Sequence, residues 1–308
     1  DQLLRDRVTV ADGQLGPDMV GLMAIGLAYA TQINTVSPRY AIEIQYPYQG
    51  YGLDGLLRTR LEDLHGILNG IDNALWNPAT DPTLHTNYSV DDFRQRRVEN
   101  KLHLQRMLNL PENPDIPVIG IVSRLVWQKG IDMLTPAMYR ILRDYDAQFV
   151  ALGTGEDKFE HELGQLGYEM RERGARVMLG YDAGLAQHIY AGADLFAMPS
   201  HFEPCGISQM IAMRYGSLPV VRETGGLADT VENYDNGNGE QGTGFVFSWQ
   251  QPDAVYNTFR WAVETYQQRR DAFTNMQENA MRRNFGWEIS AEQYKQLYQH
   301  AMYKKRGW

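Results

Sequence analysis

The chain has 308 residues, 43% of them hydrophobic and 22% charged, a composition typical of one large or two modest globular domains and unlike that of disordered or fibrous chains. The net charge of −9 argues against a nucleic-acid groove, where a basic excess is usual. A single cysteine, Cys205, excludes an internal disulfide and favours a reducing, intracellular location. No apolar run approaches the ~20 residues that span a bilayer, so we expect no membrane partner.

The N-terminal third of the chain, up to about residue 115, is irregular and rich in turns. Apolar spacing predicts a helix over residues 19–30 and a second one over residues 90–108. In the second helix we expect Leu102, Met107 and Leu108 to lie on the buried side.

Three prolines at positions 111, 114 and 117 break the chain and predict a domain boundary between residues 115 and 116. Short apolar runs then alternate with helical segments. Strands are predicted over 118–122, 148–152, 177–179, 195–199, 218–221 and 244–247, and helices over 130–143, 156–173, from 183 onward and over 207–215. This alternation predicts a parallel, doubly wound α/β domain over 116–284. A C-terminal helix, 285–308, is expected to pack back toward residues 1–115.

Ligands of such sheets bind at the carboxyl ends of the strands, near the reversal of strand order. The loop after the first strand, 123–130, holds Arg124 and Lys129. A planar guanidinium and a point charge on one loop suit a diphosphate. The alternative, two solvated loop cations, stays open at this point.

The segment after the fourth strand, 199–209, holds the carboxylate Glu203, and a helix is predicted to begin near Gly206. The first turn of a helix offers unpaired N–H groups to a phosphate, and Glu203 beside it can accept hydrogen bonds from sugar hydroxyls. An ordinary surface acid is the alternative for Glu203. Cys205 is a poor candidate nucleophile because no histidine stands at a diagnostic spacing.

Further loops end on the same predicted sheet edge. Tyr181 follows the third strand and suits stacking on a nucleobase, with packing as the alternative. Gly225 and Gly226 follow the fifth strand and expose backbone N–H groups. The seven histidines are scattered without metal-ligand spacing, so we expect no metal and no cofactor. An NAD-dependent dehydrogenase is disfavoured because no Gly-x-Gly-x-x-Gly opens the first helix.

Taken together, these segments resemble the bacterial-type glycogen and starch synthases, retaining glucosyltransferases with the GT-B fold of two Rossmann-like domains. The resemblance runs from about residue 24 to the end, and the matching stretches are 34–41, 52–57, 66–72, 76–81, 124–129, 203–206 and 224–227. It implies a complete C-terminal Rossmann-like domain and a partial N-terminal one. The implied activity is transfer of glucose from ADP-glucose, or UDP-glucose, to the non-reducing end of an α-1,4-glucan. The implied location is the cytoplasm, or a plastid in a photosynthetic eukaryote.

The resemblance also implies residue roles. Arg124 and Lys129 look like the pair that binds the donor's phosphates and stabilises the departing diphosphate, and Glu203 looks like the carboxylate that holds the transferred glucose. The other implied donor-site residues are Asn69 from the N-terminal side, Tyr181 against the base, Cys205, Gly206, Ile207 and Ser208 in the donor-contacting turn, and Thr224, Gly225 and Gly226 around the diphosphate.

Two family features are not found in this sequence: a Lys-x-Gly-Gly-Leu loop and a later active-site histidine, both from the N-terminal domain. Residues 1–115 are therefore expected to be a remnant of that domain. A nucleotide-sugar-binding module without transferase activity is the alternative function that this departure leaves open. A position that holds a second Glu in many GT-B relatives is Ile211 here, which is consistent with the synthase branch.

Overall fold

The computed structural model describes residues 21–306. The chain forms two compact units, which we call unit one (described residues 21–70 and 286–306) and unit two (residues 71–285). The boundary therefore lies at Gly70 and Ile71, not between residues 115 and 116 as the prolines suggested. Residues 71–115 include a long helix, Phe93–Met107, that packs against the helix Ala183–Gly192 of unit two, so the proline-rich segment is a loop within that unit.

Unit one contains a parallel pair of short strands that the sequence pattern did not reveal. Strand β1 pairs with β2 so that Ile33 lies opposite Leu64. The elements of unit one are β1 (Ile33–Thr35), β2 (Leu64–Gly66), α1 (Leu22–Tyr29), α2 (Pro38–Glu43), α3 (Pro47–Gly50), α4 (Asp54–Thr59), a 3-10 turn (Leu61–Asp63) and the C-terminal helix α13 (Trp287–Arg306). Lys304 of α13 donates a hydrogen bond to Asp63, which links the last helix to the β2 region and lowers the pKa of that carboxyl.

Unit two is built on six parallel strands, as predicted from the alternation of strands and helices. The strands are β3 (Val118–Val122), β4 (Gln148–Gly153), β5 (Ala175–Leu179), β6 (Leu195–Met198), β7 (Leu218–Arg222) and β8 (Phe245–Phe247). Their order in the sheet is β5-β4-β3-β6-β7-β8, so the order reverses between β3 and β6. The central strands β3, β4, β6 and β7 are buried almost throughout, which explains their continuous apolar runs.

The first helix of unit two precedes the sheet, and the other helices follow its strands. They are α5 (Phe93–Met107), α6 (Ile131–Asp144), α7 (Asp157–Glu169), α8 (Ala183–Gly192), α9 (Ser208–Arg214), α10 (Gly225–Thr230), α11 (Pro252–Gln268) and α12 (Arg270–Arg282). Asp182 caps α8 by accepting a hydrogen bond from the Leu185 amide at 2.9 Å, and Pro252 begins α11 at the position where a missing N–H costs nothing. Within residues 21–306, every helix falls short of the length or apolarity that crossing a bilayer requires.

Helix α5 shows where apolar spacing misled the prediction. Met107 is 43% exposed, and Leu102 and Leu108 are only half-buried, so the buried side predicted for this helix is wrong. The residues that α5 does bury are Phe93, Arg97, Asn100, Lys101, Leu104 and Gln105. Four of these six are charged or amide side chains with long-range partners, and a pattern that counts apolar residues cannot detect them.

Candidate functional site

A cleft of about 200 Å³ opens at the carboxyl edge of the sheet in unit two, where the strand order reverses between β3 and β6. This is the position at which doubly wound sheets bind ligands. Its floor is formed by the ends of the two central strands. Its polar lining consists of Ser123, Arg124, Lys129, Ser200 and Ser208, so the cleft has two cations and three hydroxyls within one small volume.

The centre of the site is an ion pair between the two loops that follow β3 and β6. Lys129 Nζ lies 2.6 Å from Glu203 Oε2, and the Ser200 hydroxyl donates to the same carboxylate oxygen at 3.0 Å. The Glu203 side chain is 7% exposed and that of Lys129 is 19% exposed. Glu203 is therefore a buried carboxylate held by two donors, and the reading of it as an ordinary surface acid does not fit this geometry.

Arg124 is exposed and lines the same cleft as Lys129. Its Nη2 donates to Gln128 Oε1 at 3.2 Å within the loop. The structure thus brings the two predicted cations to one cleft. Lys129 reaches the carboxylate, whereas Arg124 stands at the rim with a neutral partner.

Two close backbone approaches require glycine at this edge. Gly130 has φ +69°, and a Cβ there would lie 2.0 Å from the Pro199 carbonyl oxygen. At Gly226, a Cβ would lie 2.0 Å from the Cys205 carbonyl oxygen, and its amide donates to the Glu203 carbonyl at 3.1 Å. The loops after β3, β6 and β7 are consequently packed backbone to backbone around Glu203.

The turn after Glu203 leads directly into α9. Cys205 is buried, Ile207 is 43% exposed and Ser208 begins the helix. Gln209, which the sequence did not single out, donates from Nε2 to the carbonyl oxygens of Cys205 at 3.1 Å and Gly206 at 3.0 Å. This amide fixes the path of the turn.

The other predicted site residues differ in their distance from the strand-order reversal and in their exposure. Tyr181 follows β5, two strands away from the reversal, and is 90% exposed. Thr224 is buried at the start of α10, next to the Gly225–Gly226 pair. Asn69 follows β2 and is half-buried in unit one.

Several residues of the site were not predicted from the sequence. Arg222, at the end of β7, is buried and donates to the carbonyl oxygens of Ser200 (2.8 Å) and His201. Asp132 on α6 accepts a hydrogen bond from His201. A charged residue that ends an otherwise apolar strand was the available signal for Arg222. No comparable signal marked Asp132. Residues 21–306 contain no group of three or more His, Cys, Asp or Glu side chains arranged to hold a metal.

The comparison with known families decides the identity of the chain. The family model described as glycosyl transferases group 1 matches residues 107–280. This chain belongs to the group 1 glycosyl transferases. A second model, described as the starch synthase catalytic domain, matches residues 6–59.

Curated relatives refine this assignment within the group 1 glycosyl transferases. Glycogen synthase 1 of Geobacter sulfurreducens is 47% identical over 290 residues, which are 94% of this chain and 57% of the relative. Glycogen synthase of Moorella thermoacetica is 46% identical over 288 residues, 94% of this chain and 58% of the relative. The chain thus spans somewhat more than half the length of these relatives.

Solved structures agree on the fold. The catalytic domain of starch synthase IV from Arabidopsis thaliana, bound to ADP and acarbose, is 37% identical with a TM-score of 0.83, covering 89% of this chain and 56% of that one. Sucrose-phosphate synthase from Thermosynechococcus elongatus, at 20% identity and a TM-score of 0.60 over 96% of this chain and 66% of its own, shares the fold alone. The GT-B type of α/β fold predicted from the sequence is confirmed.

Proposed function

We propose that this protein transfers glucose from ADP-glucose to the non-reducing end of an α-1,4-glucan with retention of the anomeric configuration. The observation that carries the proposal is the Lys129–Glu203 pair at 2.6 Å, whose lysine lines the cleft at the strand-order reversal. A cation for phosphate and a carboxylate for sugar hydroxyls stand side by side there, as a sugar diphosphate requires.

In this proposal Arg124 and Lys129 bind the diphosphate and act as the catalytic cations. Cleavage of the glycosidic bond of the donor leaves negative charge on the departing diphosphate, and preorganised positive charge lowers the energy of that transition state. An ammonium group has three donors, so Lys129 can bind a phosphate oxygen while it keeps its hydrogen bond to Glu203. Arg124, at the exposed rim, offers a planar fork to the second phosphate.

Glu203 would hold the transferred glucose through its hydroxyls, because its buried carboxylate is already oriented by Ser200. The donor would further contact Asn69, Tyr181, Cys205, Gly206, Ile207, Ser208, Thr224, Gly225 and Gly226. We assign Tyr181 to the nucleobase because an exposed aromatic ring has both faces open to stacking. Closure of the site over the donor would exclude water and suppress hydrolysis.

ADP-glucose is preferred over UDP-glucose as the donor because the similar starch synthase IV structure has ADP bound and is 37% identical. The acceptor is assigned from the glycogen synthase relatives. In this proposal the protein acts without a nucleic-acid partner, a membrane, a metal or a cofactor. The proposed location is the cytoplasm.

Calorimetric titration of the chain with ADP, ADP-glucose and UDP-glucose, together with incorporation of labelled glucose into glycogen, tests the proposal. Binding of ADP-glucose with transfer supports it. Binding without transfer would leave a nucleotide-sugar-binding module, and preference for UDP-glucose would change the donor. A folded chain that binds none of the three would contradict the assignment of Arg124, Lys129 and Glu203 to a donor site.

A further inference from the structure

A group of three side chains links the two loops that form the cleft. The rings of Trp127 and His201 are stacked, with centroids 4.2 Å apart and an interplanar angle of 9°. His201 Nε2–H donates to both carboxylate oxygens of Asp132, at 2.9 and 3.0 Å. We call Trp127, His201 and Asp132 the clamp. Its members come from the loop after β3, the loop after β6 and the first turn of α6.

The clamp contains a buried imidazole. The His201 side chain is 8% exposed, although it lies in a loop, and the half-exposed Trp127 ring covers it. The Asp132 carboxylate satisfies Nε2, whereas Nδ1 is buried without a hydrogen-bond partner among residues 21–306. Burying a polar ring costs free energy unless its groups are hydrogen-bonded, so the Asp132 contact offsets only part of that cost. The partners of His201 therefore hold it in one orientation against the loop after β3.

Hydrogen bonds connect the clamp to the residues next to the Lys129–Glu203 ion pair. The His201 amide donates to the Gln128 carbonyl at 2.9 Å, and Gln128 Nε2 donates to the Phe202 carbonyl at 3.3 Å. In each loop the next residue along the chain is a member of the ion pair, Lys129 after Gln128 and Glu203 after Phe202. A shift of the clamp would consequently move the ammonium relative to the carboxylate.

We propose that the clamp is a positioning device for the donor's diphosphate: Asp132 orients His201, His201 and Trp127 fix the loop after β3, and that loop places Lys129. The clamp residues act through Lys129 and have no contact with the donor's reacting atoms in this proposal. This inference rests on the proposed function, because it requires that Lys129 binds the phosphates.

Titration of the full chain with ADP, in parallel with thermal unfolding, tests the clamp. Asp132→Ala and His201→Ala are each expected to raise the Kd for ADP about tenfold, which corresponds to about 1.4 kcal/mol. Asp132→Asn keeps an oxygen acceptor for His201, and Trp127→Phe keeps a stacking ring, so both are expected to retain affinity within about threefold of the wild type. His161→Ala, at an exposed position on α7, is the matched control for loss of a histidine.

The decisive measurement repeats His201→Ala in a Lys129→Met background. If the clamp acts through Lys129, the second substitution adds less than about twofold to the Kd, because the group it positions is gone. A full tenfold addition in that background would show a general structural effect and overturn the proposal, as would unchanged ADP affinity in folded Asp132→Ala and His201→Ala variants. Failure of the wild-type chain to bind ADP is a separate result, which contradicts the proposed function and the clamp with it.

Discussion

The two edges of the sheet in unit two each contain a lysine–carboxylate pair, and the pairs differ in what surrounds them. At the carboxyl edge, Lys129 and Glu203 are 2.6 Å apart beside an open cleft. At the amino edge, Lys101 of α5 and Asp194, just before β6, are 2.7 Å apart with side chains 2% and 5% exposed. The distances are nearly equal, so distance alone does not distinguish a structural ion pair from a ligand site.

The amino-edge pair is surrounded by protein groups. Lys101 also donates to the Pro114 carbonyl at 2.9 Å, and Asp194 accepts from the Val118 amide at 2.9 Å. Arg97 adds a second cation at 3.6 Å from Asp194. Burial lowers the pKa of Lys101, and the neighbouring Asp194 carboxylate opposes that shift. These contacts join α5 to the residues at the starts of β3 and β6.

The carboxyl-edge pair has fewer protein partners and more access to solvent. Its lysine side chain is 19% exposed, and a second cation, Arg124, stands in the same cleft. The number of protein donors and acceptors around a charged pair, rather than the distance within it, therefore distinguishes a pair that stabilises the fold from one that can bind a ligand. Three predictions concern the two pairs and a fourth concerns histidines on α5 and α8; they follow from the largest expected change to the smallest.

Replacing the amino-edge carboxylate should damage stability most. Asp194→Asn leaves Lys101 and Arg97 buried without a counter-charge, so we expect the free energy of unfolding to fall by about 3–5 kcal/mol. Urea unfolding followed by circular dichroism measures this. The double variant Asp194→Leu with Lys101→Met, which removes both charges of the pair, should recover part of the loss. A loss below about 1 kcal/mol in Asp194→Asn would show that the network does not anchor α5.

Replacing the carboxyl-edge lysine should affect binding far more than stability. Lys129→Met removes a charge-assisted contact to phosphate worth about 1.5–3 kcal/mol, so the Kd for ADP should rise at least about tenfold. Its free energy of unfolding should fall by less than that of Asp194→Asn, because Lys129 is partly solvated and Glu203 keeps its hydrogen bond from Ser200. Lys158→Met, which removes an exposed lysine from α7, is the control. Equal losses of unfolding free energy in Lys129→Met and Asp194→Asn would contradict the proposed difference between the two ion pairs.

The hydroxyl that orients Glu203 should have an intermediate effect. Ser200 is buried and donates to Glu203 Oε2 at 3.0 Å, so Ser200→Ala should weaken ADP-glucose binding by about 1 kcal/mol. ADP, which lacks the sugar, should bind this variant with wild-type affinity. Calorimetry with the two ligands separates these outcomes, and an equal loss for both would assign Ser200 to the phosphates.

The smallest effect is expected from histidines on α5 and α8. His103 stacks on His85 with centroids 4.4 Å apart and lies 5.1 Å from His188. Burial lowers the pKa of His103 and of His188, so the unfolded chain binds these protons more readily. Their contribution to stability is therefore complete above pH ~6.5 and is lost as the pH falls below that value. Urea unfolding between pH 7.5 and pH 5 should show a shallower decline in His103→Gln than in the wild type, with His161→Gln as the control. An identical decline in all three proteins would contradict the expected linkage.

The parallel α/β architecture of unit two and the loops that form the site could be predicted from the sequence alone. The four central strands appeared as short apolar runs because strands buried on both faces carry little else, and the turns between the strands were marked by glycine and polar residues. Arg124, Lys129 and Glu203 could be named because they stand directly after strand ends, and all parallel strands end on one edge.

Which of these charged groups form contacts could be learned only from the folded chain. Lys129 and Glu203 are 74 residues apart, Lys101 and Asp194 are 93 residues apart, and no local pattern encodes either pair. The polar buried side of α5 was missed because its charged residues have partners far along the chain. The boundary at Gly70 was missed as well, because those contacts place α5 in unit two. A charged residue resembles a surface residue in the sequence until the fold supplies the opposite charge that allows it to be buried.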